Sequence, residues 1–345
     1  MRSFFLSVGR APFGFLFVTL AAIVSLPLRP AQAQGAVDLP LLNRETGHTI
    51  IPNRIELEVA GGPLARVTFD TGSTGLRVLE RYVGPNVRRT DQAIREVYGD
   101  GTELEGYLGY AEIAFHTRDG TPLRTTGEVP IQVVTKTTCR DDKPHCPGLK
   151  EGSAGVMGVR FDQKAAGMLS PLQFLPGALS NGFIVDVKHD DPHVHIGLDA
   201  ESTRGFRFAN LRSADPATTK DGKMRLWVAD SIQSCFSVEG SEPACGPVIF
   251  DTGGSAMDIS MEGVPPELLD GDFLQAGVRV TFEVPDAFRL TFRSEGHHDV
   301  RIRPAHGSNS GERFFRHYLV AFDGQNGRIG FLSRTHADDE ALERR

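Results

Sequence analysis

Two copies of one short motif govern what this chain can become. Val67-Thr68-Phe69-Asp70-Thr71-Gly72-Ser73 and Val248-Ile249-Phe250-Asp251-Thr252-Gly253-Gly254 each end an apolar run in Asp-Thr-Gly, and 181 residues separate Asp70 from Asp251. That separation is about the length of a domain. An apolar strand that runs into a Gly-containing turn holds its carboxylate at a strand end, where a cleft can form. Two such strands facing each other bring two carboxyl groups together. Like charges in contact do not both ionise readily, so such a pair shares one proton. A half-ionised pair can activate a water molecule without a metal.

The surrounding pattern is that of strands. Residues 55–59 alternate apolar and acidic side chains, and residues 278–284 place four apolar side chains on one face. Residues 129–134 and 183–187 are apolar strand-like runs, and turn clusters such as Asp119-Gly120-Thr121-Pro122 punctuate the chain. The best helical stretches are short, at 163–169 and 311–319. Each half then repeats an order: acid turn, a later glycine (Gly158 or Gly311), and an Ile-Gly-apolar run (Ile196-Gly197-Leu198 or Ile329-Gly330-Phe331). The expectation is an all-β protein of two related lobes, residues 34–203 and 204–345. No low-complexity linker divides them, so they should share an interface.

The N-terminus reads as a secretory signal over residues 1–33: Arg2 and Arg10, an uncharged run at 11–28, then Ala31-Gln32-Ala33 as a cleavage site. A retained membrane anchor is the alternative, which Pro12, Gly14 and Pro27 disfavour. Export to a periplasm or beyond is expected, with no stable membrane insertion after cleavage. Four cysteines fall into two local pairs, Cys139 with Cys146 and Cys235 with Cys245. An even number in an exported chain suggests disulfides, of which sequence permits three connectivities; local pairing is the simplest. The net charge of −7 with no basic block argues against nucleic acid as a partner.

Over residues 53–332 the sequence resembles the pepsin-like aspartic proteases. The paired Phe-Asp-Thr-Gly motifs carry most of the resemblance. Val97-Tyr98-Gly99-Asp100-Gly101-Thr102 looks like that family's flap, a hairpin whose tip needs positive φ. Ala154-Gly155-Val156-Met157-Gly158-Val159 looks like the segment passing behind the first acid turn. Leu226-Trp227-Val228-Ala229-Asp230-Ser231-Ile232 is similar to the strand opening the second lobe, and residues 314–331 resemble the C-terminal segment. The resemblance implies a bilobal all-β fold, two β-barrel-like lobes with a cleft between them. It implies peptide-bond hydrolysis by water activated between Asp70 and Asp251, one as general base and the other as general acid. It further implies Tyr98, Gly99 and Asp100 as flap and substrate-binding residues. Thr71, Gly72, Ser73, Thr252 and Gly253 would support the site, the two threonines hydrogen-bonding across the lobe junction and Ser73 reaching the outer oxygen of Asp70. A polypeptide substrate, a monomer, and neither metal nor cofactor complete the expectation.

Several positions depart from that pattern. Arg77 stands where a Trp usually contacts the flap Tyr, so flap positioning is expected to differ. Gly254 lacks the hydroxyl expected after the second Asp-Thr-Gly, which would raise the pKa of Asp251 and shift activity upward in pH. Asn309-Ser310-Gly311 is polar where an apolar-apolar-Gly segment is expected, predicting looser packing behind Asp251. Only about 36 residues lie between Gln34 and Asp70, too few for a long prosegment as well as the first strands. These departures leave a second reading, a catalytically silent pepsin-like protein that binds peptides or a partner in the same cleft. A homodimeric retroviral-type protease is disfavoured by two acid motifs in one chain. His189, Asp190, Asp191, His193 and His195 read as a solvated turn running into a strand rather than a metal site, and neither His-Glu-x-x-His nor Gly-x-Ser-x-Gly occurs.

Overall fold

Why the two acid motifs end in the same kind of turn is visible in the strand order of two nine-stranded sheets. A computed structural model describes residues 1, 35–43, 52–149, 152–187, 190–296, 298–304 and 307–334. The expected signal segment (beyond Met1), His189 and the tail past Arg334 lie outside the described residues. The first sheet runs Arg88–Val97, Thr102–Ala111, Val129–Cys139, Thr74–Leu79, Gly155–Val159, Ala65–Asp70, Arg54–Val59, Ile113–Phe115, Leu123–Arg124. The second runs Leu269–Asp270, Phe273–Leu274, Val300–Ile302, Met257–Ile259, Ser308–Asn309, Ala244–Ile249, Ile232–Val238, Arg279–Val284, Phe288–Arg293.

Place by place the two lists correspond. In each, the strand leading to the acid turn lies between an antiparallel hairpin partner and a parallel strand from later in the chain: Val67 opposite Gly155 in the first, Val248 opposite Ser308 in the second. That parallel strand pairs in turn, antiparallel, with the strand that follows the acid turn. The protein is therefore bilobal and all-β, as the alternating patterns require. A six-stranded sheet joins the halves. Its two middle strands, Gly182–Asp186 and Tyr318–Asp323, pair antiparallel, Phe183 with Phe322.

Helix is nearly absent among the described residues. Phe314–His317 is a single α-turn that gives way at once to the strand Tyr318–Asp323. Of the helical stretch expected at 311–319 only these four residues are helical, with a turn before them and Tyr318 and Leu319 extended after them. At 163–169 only the 3-10 turn Ala165–Gly167 forms, because Ala166 and Gly167 take φ of 62° and 75°, which no α-helix continues. The segment 226–232 is likewise two strands, broken between Val228 and Ile232.

The apolar faces of the sheets hold the acid turns in place. Phe69 and Phe250, the residues just before Asp70 and Asp251, are 0% and 1% exposed. Phe69 packs edge-on against Phe183 of the joining sheet, and Phe183 stacks on Phe322 at 4.9 Å. Phe250 sits among Phe282, Phe314 and Phe331, with ring centroids 4.8–6.0 Å away. Each ring buried contributes about 2–3 kcal/mol, and each fixes the strand end where an aspartate begins.

Two disulfides form, Cys139–Cys146 and Cys235–Cys245, with Cys235 directly opposite Cys245 across a hairpin. Local pairing is thus the connectivity adopted, and it points to an oxidising environment. Among the described residues no helix is long and apolar enough to cross a membrane.

Candidate active site

The two Asp-Thr-Gly turns meet back to back. The Thr71 Oγ1 hydroxyl donates to the Phe250 carbonyl and the Thr252 hydroxyl to the Phe69 carbonyl, both at 2.7 Å. Each threonine N–H donates to the other's hydroxyl oxygen, at 3.1 and 3.0 Å. Four bonds in a two-fold arrangement therefore lock two strand ends from different lobes. Asn53 adds a fifth, its side-chain amide donating to the Thr252 carbonyl at 2.8 Å while its own carbonyl accepts from Phe69 N–H. Thr71 and Thr252 are 2% and 1% exposed, so these bonds are shielded from water.

Glycine follows each threonine because the opposite carboxyl group occupies the space a side chain would need. A Cβ on Gly72 would lie 2.3 Å from the Asp251 carboxyl carbon, and one on Gly253 would lie 2.7 Å from Asp70 Oδ1. The two carboxyl groups are in hydrogen-bonding contact with each other. Each inner oxygen accepts an N–H two residues on: Gly72 to Asp70 Oδ1 and Gly253 to Asp251 Oδ1, both 2.7 Å. The outer oxygens differ. Ser73 Oγ donates to Asp70 Oδ2 at 2.5 Å, whereas the Asn309 amide donates to Asp251 Oδ2 at 2.6 Å. Burial, then the neighbouring Asp251 charge, pushes the Asp70 carboxyl up to about 7 against the donors Ser73 and Gly72. A buried carboxyl pair that keeps one proton into the neutral range can both take and give a proton.

A hairpin closes over one side of the pair. Its strands are Arg88–Val97 and Thr102–Ala111, and its tip is Tyr98-Gly99-Asp100-Gly101, with positive φ at Gly101. Tyr98, Asp100, Leu149, Val156, Gly253 and Asp70 are among the residues lining a cavity of about 80 Å³ beneath the tip, enough room for water. The tip is clasped by the loop that Cys139–Cys146 closes: Lys143 Nζ donates to the Gly99 carbonyl at 2.5 Å and Arg140 N–H to the Gly101 carbonyl at 2.9 Å.

Arg77 does not leave the hairpin unheld. Its side chain is 1% exposed, donates to the Thr74 and Gly75 carbonyls, and pairs with Glu96 Oε2 at 2.9 Å on the hairpin's first strand. Its guanidinium carbon lies 5.8 Å from the Tyr98 ring centre. Burial, with Asp70 and Glu96 nearby, raises the Tyr98 phenol's pKa, so it stays neutral.

Two sequence expectations need correction. The oxygen that Gly254 cannot reach is not left bare, because Asn309 reaches it from the strand behind. Nor is packing behind Asp251 loose: Ser310 is fully buried, its Oγ accepts from Asp251 N–H at 3.1 Å and its own N–H donates to the Ile249 carbonyl at 2.8 Å. The polar residues here supply hydrogen bonds to the acid turn. Gly254 and Asn309 were each conspicuous in sequence, but only their adjacency in space shows that one substitutes for the other. Asn53 and Glu96 carried no sequence signal. Among the described residues no group of three or more His, Cys, Asp or Glu is placed to hold a metal ion, and His195 pairs instead with Asp38, at 2.8 Å.

No curated protein matches this chain. Residues 42–214, half of the sequence, match the family described as the PE-PGRS C-terminal aspartyl peptidase-like domain, a span that includes Asp70 and the hairpin and ends before Asp251. With the first acid turn and the covering hairpin inside the matched span, the chain belongs to the PE-PGRS C-terminal aspartyl peptidase-like domain family.

Proposed function

We propose that the protein is an aspartic endopeptidase of pepsin-like architecture, hydrolysing peptide bonds by water held between Asp70 and Asp251. The observation that carries this reading is the contact of two buried carboxyl groups on strand ends locked together by Thr71 and Thr252. The ionised carboxylate takes a proton from water as the water oxygen attacks the peptide carbonyl. The protonated partner gives its proton to the carbonyl oxygen. Collapse of the resulting diol returns that proton, breaks the C–N bond and protonates the leaving amine, which restores the pair. Tyr98, Gly99 and Asp100 form the flap over a polypeptide substrate, and Gly72, Ser73 and Gly253 hold the carboxyl groups in position.

The matching strand order of two sheets built from residues 54–159 and 232–309 supports two related lobes, which we place at residues 34–203 and 204–345. The disulfides and the N-terminal sequence support export to a periplasm or the cell exterior, with the chain acting as a monomer. Cleavage of a denatured protein by the purified chain, lost in Asp70→Ala and Asp251→Ala, tests the activity. Tight peptide binding without any cleavage would instead favour a catalytically silent peptide-binding protein.

A further inference from the structure

We propose that Asn309 is a positioning residue that assigns the shared proton of the pair to Asp70 by holding Asp251 as the carboxylate. The inference rests on the hydrolase reading for its consequence but on hydrogen-bond chemistry for its content. An amide has a donor end and an acceptor end, and here the ends are fixed. Gly311 N–H donates to Asn309 Oδ1 at 2.8 Å, so the NH2 must be the group facing Asp251 Oδ2 at 2.6 Å. The other oxygen of Asp251 faces the Gly253 N–H, 2.7 Å away. Both oxygens of Asp251 thus meet groups that can only donate. The inner oxygens are alike on the two residues, each keeping a lone pair for a proton shared across the pair. A proton on the outer oxygen Asp251 Oδ2 aimed at Asn309, however, would confront a donor with a donor.

Asp70 differs at one atom. Its Oδ1 also faces an N–H, from Gly72, but its Oδ2 faces the Ser73 hydroxyl, which accepts as readily as it donates. A proton on Asp70 Oδ2 is accommodated when Ser73 turns its hydroxyl and accepts. The raised pKa of Asp70 is consistent with this placement. Asp251 then acts first as base and Asp70 first as acid.

Gly254 is the other half of the device. A Cβ at this position would lie 3.0 Å from Asp251 Oδ2 and 3.3 Å from Asn309 Oδ1, so a side chain there and the Asn309 amide compete for one space. The other charged or titratable groups around the pair do not reverse the assignment. Tyr98 and Asp100 stand on the flap, Arg77 is paired with Glu96, Arg160 donates to the Gly72 carbonyl, and Glu312 N–H donates to the Gly254 carbonyl. Arg77 interacts with Asp70 and would by itself favour its ionised form; the donor geometry at Asp251 opposes it.

The test locates the proton directly. Protein labelled with ¹³C at aspartate side-chain carboxyls is titrated by NMR, with Asp70→Asn and Asp251→Asn assigning the two signals. In the wild type, the Asp70 signal is expected to keep its protonated shift after the pair has lost its first proton. In Asn309→Ala the retained proton should spread onto Asp251, and the first apparent pKa of the pair should rise by about 1 to 2. The double variant Asn309→Ala with Gly254→Ser fills the vacated space and gives each carboxyl a reversible hydroxyl partner, so its two signals should converge. A wild-type proton residing on Asp251, or a proton that stays on Asp70 in both variants, overturns the inference. Parallel cleavage assays keep the two readings apart. An Asn309-dependent titration without cleavage would sink the hydrolase reading alone; cleavage with an Asn309-independent titration would sink this inference alone.

Discussion

Thr71 and Thr252 each donate through the hydroxyl to a carbonyl of the opposite lobe and each accept the other's N–H, at distances from 2.7 to 3.1 Å. This exchange lets two strands 181 residues apart in sequence share one rigid platform, and it sets the separation of the carboxyl groups that follow from the same turns.

Thr71→Val or Thr252→Val keeps the side-chain shape and removes the hydroxyl, leaving a buried N–H and a buried carbonyl unpaired. Each variant should lose about 2–4 kcal/mol of stability in denaturant unfolding. Because the two residues form one network, the double variant should lose clearly less than the sum. Additive losses would mean the bonds are independent and the platform is not a unit.

Asp70 makes stability fall as pH rises. Its carboxyl ionises near 3.8 in the unfolded chain and is pushed up to about 7 in the fold, so the native state binds more protons than the unfolded chain between those values. The contribution is fully present below about pH 4 and is lost as pH rises through about 7, for a total of about 4 kcal/mol. Asp70→Asn should remove this slope and unfold at a higher temperature than the wild type at pH 8. A wild type whose stability rises from pH 4 to 7 with the same slope as the variant would contradict the assignment.

Glu96 anchors the flap through Arg77, which is itself buried beneath Tyr98. Glu96→Gln should weaken that anchor, speed amide exchange on residues 93–106 and lower kcat/KM by about tenfold. Global stability should also fall, by about 1–3 kcal/mol, because Arg77 is 1% exposed and loses its counter-charge while Glu96 is only partly exposed. Unchanged exchange would show that the hairpin is positioned by other contacts.

Much of this was legible in sequence because it is written in local chemistry. Alternating residues near 55 and 280 name strands, Phe-Asp-Thr-Gly names an apolar strand entering a tight turn, and Cys235 and Cys245 flank a hairpin turn. What escaped the sequence depends on which distant atoms meet. Asn309 looked like a defect in an apolar segment, and becomes a hydrogen-bond donor only when the strand Ser308–Asn309 is laid beside Ala244–Ile249. Arg77 looked like a misplaced charge until Glu96 was brought opposite it across the sheet. The helix expected at 163–169 failed on backbone conformation, with left-handed φ at Ala166 and Gly167, which apolar periodicity does not report.

Replacing Cys139 and Cys146 together by Ser should loosen the flap tip more than the protein. The closed loop is short, so the global loss should be about 2–3 kcal/mol. Amide exchange at Gly99 and Gly101 should rise most, because the loop carries the Lys143 and Arg140 donors that hold those carbonyls. Exchange changes confined to the loop itself would show that the clasp does not restrain the tip.

Water activated by the carboxyl pair leaves a direct chemical record. Peptide cleavage in ¹⁸O-labelled water should place one solvent oxygen in each new C-terminal carboxylate, at rates that fall by at least about 10³-fold in both Asp70→Asn and Asp251→Asn while the variants stay folded. Cleavage that survives either substitution, or a folded wild type that cleaves nothing at any pH from about 3 to 8, would contradict the account.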